Sequence, residues 1–102
     1  MIFIVLFEDD QDRAAARSAH MPAHLAFLER NAAAVRAAGP LADAGDGAPA
    51  GGMWLVEAAD RAAVQALVEA DPFWPTGLRK SVRILSWNQV FADGKRRVSV
   101  RA

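Results

Sequence analysis

Ile2-Phe3-Ile4-Val5-Leu6-Phe7, an unbroken apolar run that stops at Glu8-Asp9-Asp10, is the stretch whose reading decides the fold. Its β-branched and aromatic residues suit a pleated, buried surface, and the acidic cluster is poorly suited to continuing it, so a first strand is expected from Met1 to Phe7. Antiparallel strands with one wet face alternate apolar and polar residues; neither this run nor Met53-Trp54-Leu55-Val56 does so. Both faces of these strands must therefore be covered.

Outward from that run, Asp12 to His20 is Ala-rich and charged, the composition of a short helical arm. Pro22 disfavours the α conformation at Met21 and itself suits a first helical position, so the first helix is expected from about Pro22 to Ala38. Leu25, Leu28, Ala32 and Val35 recur with helical spacing, and Gly39-Pro40 is a stop signal. Leu41 to Ala44 reads as a weak second strand, Gly45 to Gly52 as a flexible turn and Met53 to Glu57 as a third strand. Asp60 is a good N-cap for a second helix with Val64, Leu67 and Val68 as its buried stripe, ending before Pro72. After a loop with Pro75 and Gly77, Val82 to Phe91 is expected to be the last strand, and Asp93-Gly94 turns into a basic tail able to add a small edge strand.

The order β-α-β-β-α-β is the ferredoxin-like split β-α-β arrangement: an α+β fold with an antiparallel sheet and two helices on one face. Two helices cover only one side of such a sheet. The other side is expected to pack against a second copy of the chain, giving a homodimer.

The 102 residues are expected to form one domain over 1–102, with 53% hydrophobic residues to build its core. Lys plus Arg and Asp plus Glu are both 12, so no long-range field gathers nucleic acid or an anionic membrane, and neither is expected as a partner. Lys95-Arg96-Arg97 reads as a solvated tail. With no cysteine, disulfides, thiolate catalysis and Cys-ligated zinc are excluded, and a reducing, cytoplasmic setting is expected. The first apolar run has no basic residue before it and is too short for a signal peptide or a membrane span.

Candidate chemistry concentrates in Met21-Pro22-Ala23-His24-Leu25 and Ala70-Asp71-Pro72-Phe73-Trp74. In the split β-α-β topology the start of the first helix and the end of the second lie at one end of the sheet, which the glycine-rich hairpin also closes. His24, expected at the third position of its helix and four residues before Leu28, shares the core-facing stripe and should point inward. A helix N-terminus disfavours imidazolium, whereas a nearby Asp71 would fix the tautomer and support the protonated form. The two make a candidate general acid-base pair. The competing reading is a satisfied cap or core histidine beside a turn aspartate.

Other candidates follow from composition and spacing. Phe73 and Trp74 are aromatic candidates for ligand contact, Trp74 because it sits between two prolines in a loop; Trp54 and Trp87 suit core or dimer packing better. Arg17 is a candidate for neutralising an anionic substrate at the rim, although a solvated arginine is the commoner case. His20 and His24 are spaced i, i+4, but Pro22 lies between them and no carboxylate has matching spacing, so no metal site is expected. Gly45 to Gly52 lacks the Lys and Ser or Thr of a phosphate-binding loop, no dinucleotide fingerprint is present, and no cofactor is expected.

Taken together, Pro22-Ala23-His24-Leu25, Gly39-Pro40-Leu41, Gly51-Gly52 leading into Trp54-Leu55-Val56-Glu57-Ala58, Ala70-Asp71-Pro72-Phe73, Gly77-Leu78 and Val82 to Trp87 resemble the YCII-related (YciI-like) proteins. The resemblance covers nearly the whole chain. It implies a ferredoxin-like fold of the dimeric α/β barrel type, with His24 and Asp71 as the active-site pair. Relatives include dehydrochlorinase-type enzymes on chlorinated rings, and the wider superfamily holds isomerases and cofactor-free monooxygenases. One departure is Met21, a position often occupied by Arg in relatives.

The leading expectation is thus a cofactor-independent lyase or isomerase acting on a small, aromatic or lactone-like molecule, with His24 moving a proton and Asp71 orienting it. Its rivals are a non-catalytic dimeric module that binds a small molecule or a protein, and an assembly domain in a larger complex. All of them use the open sheet face for a second copy, so light scattering across micromolar concentrations should return the mass of a dimer; a monomer throughout would refute the sheet-to-sheet pairing.

Overall fold

In the computed structural model, which describes residues 1–98, the chain runs β1 (Ile2–Asp9), α1 (Ala15–Arg30), β2 (Val35–Ala42), β3 (Pro49–Glu57), α2 (Arg61–Ala70) and β4 (Arg79–Ser86), followed by a hairpin of β5 (Phe91–Ala92) and β6 (Lys95–Arg96). The first apolar run becomes an inner strand of a four-stranded sheet in the order β2-β3-β1-β4, with every neighbouring pair antiparallel. This is the ferredoxin-like, split β-α-β arrangement.

The pleat sorts β1 into two faces. Phe3, Val5 and Phe7 are buried in the core together with Phe27 of α1, Trp54 and Val56 of β3, and Val64 and Val68 of α2. Ile2, Ile4 and Leu6 point the other way and are only half-buried. By register, Met53 and Arg83 flank Leu6, and Leu55 and Leu85 flank Ile4 on that same open face. Leu85 is 38% exposed and Trp87, just beyond β4, 44%.

α2 forms as its sequence predicts. The Asp60 carboxylate accepts from the Ala63 N–H at 2.9 Å, and Val64 and Val68 are buried. α1 does not: it begins at Ala15 rather than Pro22 and ends at Arg30 rather than Ala38. Pro22 lies inside the helix, where it forfeits one backbone hydrogen bond toward Ser18. Both residues are exposed, so water can reach the freed carbonyl and the helix continues. The Asn31 N–H closes the last turn on Phe27 and Leu28, and the Asn31 side chain bonds the Phe27 carbonyl at 2.9 Å. His24 and Phe27 are the buried residues of this helix, while Leu25 is exposed and Leu28 half-buried, so the expected stripe is rotated.

Residues expected to end the first helix instead build β2. Gly39 and Pro40 lie within that strand, which tolerates proline because it is at the sheet edge. The flexible turn is confined to Asp43–Ala48, where the Asp43 carboxylate accepts from the Gly45 and Asp46 N–H groups at 2.8 and 3.1 Å, bonds that lower its pKa below the ordinary carboxylate value. Gly51 and Gly52 belong to β3.

β4 starts at Arg79 and ends at Ser86 rather than running from Val82 to Phe91. Its pairing with β1 shifts at one point: Glu8 faces Ser81, but Asp9 faces Arg79. Two steps on β4 thus match one on β1, a bulge at Lys80 that puts Arg79 where regular alternation would put Lys80. The tail hairpin turns at Asp93 and Gly94, both with positive φ, as expected of an Asp-Gly pair, but among the described residues it pairs with itself and not with the main sheet.

Gly51 adopts φ +88, and a Cβ there would stand 1.8 Å from the Phe7 carbonyl oxygen. Backbone cannot yield as a side chain does, so Gly51→Ala should destabilise the fold by about 2 kcal/mol or more. Gly39→Ala, where an added Cβ meets nothing within 4 Å, should be near neutral by comparison. Urea midpoints of the two variants, measured with unchanged slope, check the difference.

Candidate active site

Pro72 starts the construction of the site. A residue before proline is held out of the α region, so Asp71 leaves α2 in an extended conformation with φ −65 and ψ 132. Its carboxylate then turns back over the chain, and Oδ1 accepts from the Phe73 N–H at 3.2 Å. The same oxygen lies 2.8 Å from His24 Nδ1. Both groups are buried, the His24 side chain 8% exposed and that of Asp71 3%.

An ionised carboxylate can only accept, so it assigns the proton to Nδ1 and leaves the Nε2 lone pair free. Aromatic contacts hold the imidazole plane: Phe73 stacks on it at 4.1 Å between centroids, and Trp54 at 6.5 Å. Trp54 in turn meets Phe7 edge-on at 5.2 Å, which fastens the site to the core. Since His24 lies well inside α1, the expected influence of a helix N-terminus on its charge does not apply; Asp71 and the rings are its surroundings.

These side chains open on a cavity of about 130 Å³, and its lining includes Met21, His24, Leu25, Pro40, Trp54 and Phe73. Cavities of roughly 150 Å³ take up a benzene ring, so this one is on the scale of a single small ring.

A second cluster of charge borders the same cavity, which Arg17 and Arg79 also line. The Asp9 carboxylate accepts from Arg79 Nη1 at 2.9 Å and from Arg17 Nη2. The Asp9 side chain is 2% exposed and that of Arg79 7%, whereas that of Arg17 is 34% exposed. The Arg79 guanidinium stands 4.1 Å above the Phe7 ring and 5.2 Å from the Phe73 ring. Burial lowers its pKa from the usual arginine value, and the charge on Asp71 opposes that shift.

Of the residues singled out from the sequence, His24, Asp71, Phe73 and Arg17 are brought together. Trp74 is not in the cavity lining: it opens a 3-10 turn, Trp74–Thr76, and is 37% exposed. His20 is exposed. Asp9 and Arg79 were missed. Asp9 belongs to the acidic cluster expected to stop the first strand after Phe7, whereas β1 continues through it to Asp9, and the register that delivers Arg79 depends on a bulge that no local pattern announces.

In long-range nitrogen–proton spectra, His24 should therefore appear as the Nδ1–H tautomer when neutral. Asp71→Ala should abolish that preference; a wild-type Nε2–H tautomer would contradict the arrangement.

Among proteins of known structure, the chain is similar to the 5-chloro-2-hydroxyhydroquinone dehydrochlorinase TftG from Burkholderia phenoliruptrix AC1100, solved in complex with 2,5-dihydroxybenzoquinone. The two share 30% sequence identity over 86% of this chain and 94% of that one, with a TM-score of 0.76. No curated protein sequence matches. The model of the YCII-related domain matches residues 1–88, and with that coverage the chain belongs to the YCII-related family.

Proposed function

We propose that the chain is a cofactor-independent enzyme that moves a proton on a small ring compound, in an elimination or isomerisation of the kind catalysed by lyases and isomerases. The observation that carries this reading is the 2.8 Å bond between His24 Nδ1 and Asp71 Oδ1, buried beside a cavity of about 130 Å³. Its similarity to a dehydrochlorinase supports a ring substrate of the hydroquinone class.

His24 is the catalytic base in this reading. Nε2 takes a proton from a ring carbon or hydroxyl, the released electron pair forms the new double bond, and in an elimination the leaving group departs as its anion. Asp71 keeps Nδ1 protonated and stabilises the imidazolium that forms. An isomerisation returns the proton to a second position, and an elimination releases it to solvent. Phe73 and Trp54 hold both the imidazole and an apolar ring in place.

Homodimerisation through the open sheet face, one YCII-related domain over 1–102 and a cytoplasmic setting belong to the same reading. Half-buried Ile4, Leu6, Met53 and Leu55, with the more exposed Leu85 and Trp87, support the first. The apolar cavity lining also suits a dimeric module that binds a ring without transforming it, and turnover separates the two.

Purified protein should release chloride from one or more members of a chlorinated hydroquinol panel. His24→Gln should lower kcat by about a hundred- to ten-thousandfold, and Asp71→Asn should lower kcat more than it raises KM. Turnover that is indifferent to His24→Gln would refute the base; ring binding without turnover across the panel would favour the binding module.

A further inference from the structure

Two guanidinium groups share one carboxylate at the cavity wall. Asp9 uses Oδ1 for Arg79 and Oδ2 for Arg17, and each arginine gives it a single N–H. Asp71 is already engaged by His24 and the Phe73 N–H through Oδ1. With His24 neutral, the two arginines are balanced by two carboxylates, one of them turned to the imidazole; once His24 takes a proton, the site carries one net positive charge.

Arg79 is the unusual member. Its side chain is 7% exposed, and among the described residues Nε is the one buried side-chain nitrogen or oxygen with no hydrogen-bond partner. A buried, charged donor without an acceptor is costly, and native structures rarely leave one unexplained. The bulge at Lys80 carries Arg79 to this position. The guanidinium also lies 5.2 Å from the centroid of Phe73, whose ring stacks on His24. A flat ring placed near His24 therefore has its edge close to an arginine pair with donors to spare.

We infer that Arg79 and Arg17, tied together by Asp9, form an oxyanion seat, so that the cavity selects planar rings carrying a negatively charged oxygen over neutral rings of the same shape. The seat rests on the cavity being a ligand site but not on any reaction occurring there. A phenolate or enolate oxygen supplies the acceptor that the arginines lack, and it fixes which ring atom faces His24. A neutral ether offers the same arginines only a weaker, uncharged acceptor. Arg79 and Arg17 act as binding residues, and Asp9 as the positioning residue that fixes the spacing of their forks.

Calorimetric titration with 4-nitrophenol, at a pH where its hydroxyl is ionised, and with 4-nitroanisole, its neutral methyl ether, tests the seat. The phenolate should bind roughly tenfold or more tightly than the ether. The preference should persist in His24→Gln, shrink in Arg17→Gln and be nearly lost in Arg79→Met, with circular dichroism reporting the fold of each. Should Arg79→Met fail to fold, Arg79→Lys, which keeps the charge without the fork, should still reduce the preference. Equal affinity for the two rings, binding of neither, or a preference untouched by Arg17→Gln together with either Arg79 substitution overturns the seat. A phenolate preference in a protein that turns over no hydroquinol would leave the seat standing and remove the catalytic reading.

Discussion

A carboxylate as enclosed as that of Asp71 must find its donors inside the protein, and it does so from two directions. One is local, the Phe73 N–H; the other comes from a different helix, His24 Nδ1. Leaving either donor buried and unmatched would cost about 1–3 kcal/mol, so α1 and the segment after α2 are held in one relative position. The stacking of Phe73 on His24, the placement of the imidazole against Trp54 and the opening of the cavity all follow from that position. Removing the carboxylate would disturb the packing of two elements and the chemistry of one ring together.

The two halves of the site meet at Phe73. One half is the His24–Asp71 acid-base pair, the other a shared ion cluster at the ends of β1 and β4, and the aromatic ring contacts both the imidazole and the Arg79 guanidinium. An aromatic separator suits this place because its π face accepts a cation without supplying a proton acceptor. Charge is thereby held near His24 with no hydrogen bond between arginine and imidazole to compete with Asp71.

Much of this was legible from residue patterns, and the exceptions have physical causes. The apolar runs identify β1 and β3 because β-branched and aromatic residues suit a pleated strand. Asp60 announces α2, and Asp71-Pro72 announces its end. The topology then brings His24 and Asp71 to one end of the sheet without any knowledge of their contact. The reading of α1 failed because Pro22 is a strong breaker in a buried helix but a weak one where water can satisfy the carbonyl it frees. That error also displaced β2, because Gly39-Pro40 looks like a helix stop and is equally acceptable in an edge strand. Arg79 stayed hidden because its orientation depends on register between β1 and β4, a pairing between residues 70 positions apart in the chain.

The bulge at Lys80 ties the make-up of the ion cluster to the length of the preceding loop. Because two residues of β4 span what one residue of β1 spans, the side chain that reaches the Asp9 carboxylate is specified by how many residues separate Asp71 from Ser81. Removing one residue between Asp71 and Arg79 would restore a regular ladder and bring Lys80 to Asp9 in place of Arg79. Loop length here selects whether a planar, two-pronged guanidinium or a compact ammonium reaches the Asp9 carboxylate at the cavity wall.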